Sequence, residues 1–328
     1  MKREIQKTVG LLRFGLEELK FIRSPKDLKI LYDQKLPFMT SKLTGNAAKN
    51  ARVPPSLQIE PTNRCNLRCI CCSREKMKRD KGYMDLGLFR KIIEDASCIG
   101  VKRVHLYLHG EPLLHPQIIE MIASVKAKGL GITITTNGMM LDREKIRRML
   151  LSGMDSADYL TFSILGCSQK THEKIMRGVS HDRVVKNIYD FLELRASLKI
   201  NGPIIEAIFY EMPENEGEKE QFHEKWQGVV DHVRSGGRIS KQFSKDADDD
   251  NSIPLRNRTC KNLWQRMTVY WNGDVTTCIA DLDGERVMGN LREQSIDDLW
   301  NCEQMAYIRN MHRERQFQNL SPCSTCDW

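Results

Sequence analysis

The sequence predicts an α/β chain built on a parallel sheet, and three observations lead there. Six short β-rich runs recur between residues 57 and 234, with longer helical patterns between them. Helix-boundary residues fall where the pattern needs them: Gly129 and Gly153 at C-terminal ends and Asp142 at an N-cap. Composition, with 40% hydrophobic and 29% charged residues, is ordinary for a globular protein and excludes a disordered or fibrous chain. Repeated β-then-α units wind into a barrel or an open sheet, and in either one ligands bind at the C-terminal ends of the strands.

Taken in order, the chain begins with a stripe of Ile5, Val9, Leu12, Leu16 and Leu19, spaced as on an amphipathic helix. Residues 1–52 hold eight Lys and four Arg against five acids, a surplus of seven out of a total net charge of +8. Such a helix packs on the main body, or docks on a membrane surface or an acidic partner. The remainder is close to neutral, so no nucleic-acid partner is expected. Residues 35–56, with Pro37, Gly45, Pro54 and Pro55, read as a connector, which makes 1–56 a basic N-terminal extension.

The strand-like runs are 57–61, 103–110, 131–138, 159–166, 204–211 and 229–234. Helical patterns lie at 88–97, 116–129, 142–153 and 182–198. Residues 57–235 therefore form one αβ-repeat domain. The polar stretch 236–258, with Asp248, Asp249 and Asp250 in a row, reads as a linker. Residues 259–328 form a small α+β domain whose hairpin turns at Asn272-Gly273.

At 328 residues the length suits about two domains. No apolar run approaches the ~18 residues that span a bilayer. The opening MKREIQKTVGLLRF interrupts its apolar residues with Gln6, Lys7 and Arg13, which argues against an export signal and for the cytoplasm. Eleven cysteines in such a chain point to metal or redox chemistry. Cys65, Cys69 and Cys72 form C-x3-C-x2-C directly after the first strand, a set that suits an iron–sulfur cluster or zinc. A four-iron cubane held by three thiolates keeps one iron open for a small molecule, whereas a closed structural zinc site uses four ligands.

With these motifs in this order the chain resembles the radical SAM enzymes. EPTNRCNLRCICC carries the cluster loop, HGEP (109–112) follows the second strand, TTNG (135–138) ends the third, Ser163 ends the fourth, and Arg177 lies in HEKIMRG. The resemblance covers roughly residues 57–235 and implies a partial (β/α)6 TIM-type barrel. It implies S-adenosylmethionine (SAM) bound through Gly110, Glu111, Pro112, Asn137, Ser163 and Arg177, beside a [4Fe–4S] cluster on the three cysteines. His109 stands where relatives carry Gly, and Leu165 where many carry Asp.

Cys260, Cys278, Cys323 and Cys326, set around WNGDVTTC, GNLREQSIDDLW and PCSTC, resemble the SPASM or shorter twitch extension of the same enzymes. That resemblance implies one auxiliary [4Fe–4S] cluster; a four-cysteine zinc ribbon is the alternative. Cys71, Cys98 and Cys302 read as inert thiols. Cys167 follows the fourth strand and is either a loop thiol or a hydrogen donor to a substrate radical. The expected activity is reductive cleavage of SAM to a 5′-deoxyadenosyl radical, then abstraction of a substrate hydrogen atom. Twitch enzymes imply oxidation of a sugar, aminocyclitol or glycan-linked substrate, with flavodoxin or ferredoxin as electron donor. Epimerisation, peptide maturation, and a non-enzymatic zinc or iron–sulfur module with a basic arm are the alternatives.

Overall fold

The computed structural model describes residues 52–236 and 260–326. The amphipathic helix, the connector before residue 52, the basic surplus they carry and nearly all of the 236–258 stretch lie outside the described residues. Six strands follow in chain order: β1 (Ser56–Ile59), β2 (Arg103–Leu106), β3 (Gly131–Thr136), β4 (Tyr159–Ser163), β5 (Ile204–Tyr210) and β6 (His232–Gly236). Each pairs in parallel with the next. Helices α1 (Leu86–Ile99), α2 (Ile118–Ala127), α3 (Arg143–Leu151), α4 (Gln169–Ile175), α5 (His181–Ser197) and α6 (Lys219–Trp226) connect them.

Local chemistry fixes these helices. Asp85, Asp142 and Ser168 accept the Leu88, Lys145 and Thr171 amides at the starts of α1, α3 and α4, satisfying donors that a helix start leaves open. Gly129 and Gly153, at φ +68° and +94°, turn the chain out of α2 and α3 as expected of glycines there.

Strand alternation then separates two faces. Leu57, Ile59, Val104, Leu106, Ile132, Ile134, Leu160, Phe162, Ala207 and Phe209 point at the helices and are buried with Phe89, Ile122, Ile188 and Phe222 in one core. Each of the larger side chains among them contributes about 1.5–3 kcal/mol. The other face is largely polar, interrupted by Tyr159, Ile204 and Ile208. In-register rows across the sheet run Thr268–Gln58–His105–Thr133, then Thr135–Thr161–Glu206–His232, then Ser163–Ile208–Arg234.

The C-terminal region adds α7 (Asn262–Gln265), β7 (Arg266–Val269), β8 (Asp274–Thr276), β9 (Val287–Asn290), α8 (Ile296–Trp300) and α9 (Glu303–Arg313). The hairpin turns at Asn272-Gly273, with Gly273 at φ +98°. Its first strand does more than the sequence suggested, because β7 pairs in parallel with β1 and extends the same sheet. The order β6-β5-β4-β3-β2-β1-β7-β8-β9 is open among the described residues, a partial barrel rather than a closed one. No helix among these residues is long and apolar enough to cross a membrane.

Candidate active site and cluster centres

The first site is built at the C-terminal end of β1. Its loop is held from both sides: the Arg68 and Ile70 amides donate to the Arg177 and Ile175 carbonyls at 2.9 Å each, at and just past the end of α4. Thr62 donates to the Gly82 carbonyl at 2.6 Å, and Asn63 bridges the Asp80 carbonyl and the Gly82 amide at 2.8 and 3.0 Å. Cys65, Cys69 and Cys72 are half-buried on this loop. Burial pushes the Cys65 thiol up to about 11, with Glu111 and Cys72 adding to the rise. Cys69 is also pushed up by burial and by the charges of Cys71, Cys72 and Cys65, so the thiols crowd one another. Thiolates gathered in a half-buried loop cost energy until a cation takes them, and this donor set fits a [4Fe–4S] cluster.

HGEP wraps against the same loop. A Cβ on Gly110 would lie 2.1 Å from the Thr62 carbonyl oxygen and 2.7 Å from that of Arg64, so only glycine permits this approach. Glu111 is buried; its amide donates to the Arg64 carbonyl at 2.9 Å. Its carboxylate accepts from Leu113 N at 3.0 Å, Thr136 Oγ1 at 2.7 Å and Asn137 N at 2.8 Å. Burial raises the Glu111 pKa while these donors pull it back. A carboxylate has about four acceptor positions, so three donors leave one for an ammonium group. Asn137 Nδ2 reaches Asn66 Oδ1 at 2.9 Å and stands 3.9 Å from Cys65 Sγ.

Cys65, Gly110, Glu111 and Asn137 thus meet, with Pro112 opening the short turn Pro112–Leu114 beside them. Ser163 ends β4 one residue past Phe162, which pairs with Thr136, and so borders Asn137. Arg177 is exposed and is tied to the cluster loop through its carbonyl. The Cys167 amide donates to Glu218 at 2.7 Å and its carbonyl accepts from Lys225 at 2.9 Å, so α6 and the residue before it pin its backbone. Cys71 is half-buried within the loop, Cys98 is exposed on α1, and Cys302 caps α9 by accepting the Met305 amide at 3.4 Å.

A buried ion pair beside the cluster loop has no signal in residue spacing. Glu60 is fully buried at the end of β1 and accepts two bonds from the Arg79 guanidinium, each 3.1 Å. Arg79 also stacks over Tyr270 at 3.6 Å and donates Nε to the Leu282 carbonyl. The Trp271 amide donates to Glu60 at 3.3 Å, and the Trp271 ring nitrogen to the Asp80 carbonyl at 3.1 Å. The hairpin of β7 and β8 is therefore fastened to the segment leaving the cluster loop. Beside it sits His109, buried, with Nε2 unpartnered among the described residues and its pKa lowered to about 3 by burial and Arg79.

The second site gathers the late cysteines. Burial pushes Cys278 up to about 12, and the charges of Cys323 and Cys260 add to it, so these three are neighbours. Cys323 opens the turn Cys323–Thr325, and the Cys326 amide closes onto the Cys323 carbonyl at 3.2 Å. After Cys278 the chain is shaped by Asp281, which accepts from Thr276 Oγ1 and from the Glu285 and Arg286 amides. Thiols brought together this way fit a second iron–sulfur cluster. His312 stands against them, its Nε2 3.3 Å from Cys323 Sγ, and is a residue that motif spacing could not single out.

Comparison with known proteins agrees with this arrangement. A family model for the radical SAM superfamily matches residues 59–213, and one for an iron–sulfur cluster-binding domain, SPASM, matches residues 260–327. The tungsten-containing aldehyde ferredoxin oxidoreductase cofactor-modifying protein of Pyrococcus furiosus is 26% identical over 312 residues, 83% of this chain and 87% of that protein. PqqA peptide cyclase of Gluconobacter oxydans is 23% identical over 309 residues, 84% of this chain and 83% of that one. Among solved structures, BtrN in complex with AdoMet and 2-DOIA superposes with a TM-score of 0.58 at 20% identity, covering 84% of this chain and 94% of BtrN. Streptococcus suis SuiB bound to its precursor peptide SuiA gives 0.63 at 19% identity, covering 92% of this chain and 75% of SuiB. The chain carries a radical SAM domain over residues 59–213 and a SPASM iron–sulfur cluster-binding domain over residues 260–327.

Proposed function

We propose that this enzyme oxidises a polar, hydroxyl-bearing substrate, a sugar, aminocyclitol or glycan-linked group, at carbon. The polar inner face of the sheet is the observation that carries the reading. Gln58, Tyr107 and Arg266 are joined there by bonds of 3.2–3.4 Å, and Thr161, His232 and Arg234 converge on Glu206 at 2.8–3.0 Å. Burial alone would push Glu206 up, and Arg234 with His232 outweighs it, so the carboxyl stays ionised. Such a wall of donors and acceptors suits hydroxyl and amino groups better than an apolar side chain.

When bound, SAM with the first cluster supplies a radical that removes a hydrogen atom, and an auxiliary cluster supplies the acceptor for the electron left behind, so that loss of the hydroxyl proton to water completes the two-electron oxidation. Cys65, Cys69 and Cys72 would hold the first cluster, and Cys260, Cys278, Cys323 and Cys326 the second. Gly110, Glu111, Pro112, Asn137, Ser163 and Arg177 would orient SAM. Flavodoxin or ferredoxin in a reducing cytoplasm would provide the electrons. Cys167, fixed by the helix layer, is not needed for this chemistry. A peptide substrate is the second reading, favoured by the likeness to PqqA peptide cyclase and to SuiB with its precursor peptide.

The test is anaerobic reconstitution followed by SAM cleavage assays with sugars, aminocyclitols and synthetic peptides. About eight irons per chain, falling by half in the Cys65→Ala/Cys69→Ala/Cys72→Ala variant, is expected. Formation of 5′-deoxyadenosine stimulated by a polyol, with a ketone product and no change in Cys167→Ala, supports oxidation. Stimulation by peptides alone moves the assignment to peptide maturation, and loss of product in Cys167→Ala moves it to epimerisation. Zinc without iron sinks every enzymatic version.

A further inference from the structure

We propose that His312 is a positioning residue that donates an Nε2–H hydrogen bond to Cys323 Sγ and thereby raises the reduction potential of the auxiliary cluster. The inference rests on the reading that Cys260, Cys278, Cys323 and Cys326 hold that cluster. His312 lies in the last turn of α9 and is 1% exposed. The Cys260 amide donates to its Nδ1 at 3.4 Å, and its Nε2 lies 3.3 Å from Cys323 Sγ. A backbone amide can only donate, so Nδ1 carries the lone pair and the ring hydrogen sits on Nε2, aimed at the sulfur. Phe317 stacks on the ring with centroids 4.9 Å apart and planes 17° apart, which holds it in that orientation.

One imidazole therefore touches the first cysteine of the set through its backbone and the third through its sulfur, although 63 residues separate them in the sequence. A hydrogen bond to a cluster thiolate stabilises the reduced, more negative state in preference to the oxidised one. That favours acceptance of an electron from substrate, which is what an oxidation asks of this cluster.

The experiment uses the full-length chain carrying Cys65→Ala, Cys69→Ala and Cys72→Ala, so that only the auxiliary cluster is observed. Iron content and an electron paramagnetic resonance redox titration are compared for His312, His312→Phe and His312→Gln. Phe keeps the stacking and removes the donor, while Gln places an amide N–H near the Nε2 position. The expected result is unchanged iron, about four per chain, in all three. At fixed solution potential the reduced-to-oxidised ratio should fall about tenfold in His312→Phe, equivalent to ~59 mV for a one-electron couple. In His312→Gln the ratio should recover at least half of that shift on the logarithmic scale. An unmoved ratio in His312→Phe overturns the proposal. So does loss of iron in both variants, which would make His312 a ligand or a structural prop. If the parent protein itself holds no iron, the cluster reading fails first and takes this inference with it.

Discussion

Replacing Arg79 with Met should destabilise the protein by about 3–5 kcal/mol, the range for removing one partner of a buried ion pair. The magnitude follows from burial: the Glu60 side chain is 0% exposed and that of Arg79 11%. Glu60 would be left with the Trp271 and His109 amides and no cation. Met fills similar volume and can still lie on Tyr270, so most of the cost is the stranded carboxylate rather than a cavity. The loss therefore depends on pH. Burial already raises the Glu60 pKa above 4.5, and Arg79 pulls it back. Without Arg79 it rises further, so the folded state binds more protons than the unfolded state. Stability of Arg79→Met should then increase as pH falls through that raised value towards 4.5.

Urea denaturation of the wild type, Arg79→Met and Glu60→Gln/Arg79→Met at pH 5.5 and 8.5 measures this. The single variant should be worst at pH 8.5. The double variant, with a neutral amide at residue 60, should regain about 1–3 kcal/mol and lose the part of the pH dependence that Glu60 causes. A cost below about 1 kcal/mol for Arg79→Met, or a double variant no better than the single one, would show that Glu60 does not depend on Arg79.

Three further outcomes can be checked. Gly110→Ala puts a Cβ 2.1 Å from the Thr62 carbonyl, and SAM affinity by equilibrium dialysis should fall at least about tenfold; unchanged affinity would remove the cradle from the site. His109, held near 3 against an ordinary 6.5, binds fewer protons folded than unfolded, so its part of the stability is intact above about pH 6.5. That part declines by up to ~1.4 kcal/mol per pH unit below it, and His109→Gln should show a correspondingly flatter decline between pH 6.5 and 5.5 in denaturant titrations. Cys302→Ser replaces a weak sulfur cap with a stronger one, so iron content should stay unchanged and stability should rise by no more than about 1 kcal/mol; loss of iron would make Cys302 a ligand.

What could be read in advance was what neighbouring residues encode. All six barrel strands begin within about three residues of their expected starts, because alternation and glycine or aspartate boundaries are local signals. The cluster loop, HGEP and the Asn137 turn were legible for the same reason. The partner of β7 was not. Arg266–Val269 has the pattern of any first hairpin strand, and nothing within it says that its open edge meets Ser56–Ile59, more than 200 residues earlier. Glu60 and His312 were missed in the same way: the partner of Glu60, Arg79, lies 19 residues away outside any motif, and His312 itself belongs to no motif and sits 11 residues before Cys323.

These missed contacts have a common consequence. The Lys78 and Arg79 amides both donate to Asp283, Arg79 bridges Glu60 to the Leu282 carbonyl, and Trp271 covers Gly82 so closely that a Cβ there would lie 2.5 Å from its ring. The Asp283 and Leu282 contacts join the segment just beyond Cys72 to the segment just beyond Cys278, Trp271 adds the hairpin tip that precedes Cys278, and Glu60 adds the end of β1. The segments that follow the two thiol sets therefore share a junction, built around a buried charge pair and an aromatic hairpin tip. A flexible tether would let the distance between them drift, and electron transfer to a second centre depends on that distance being kept. The junction gives the buried pair a reason to persist that stability alone does not supply, because well-packed apolar residues could have filled the same space at no greater cost.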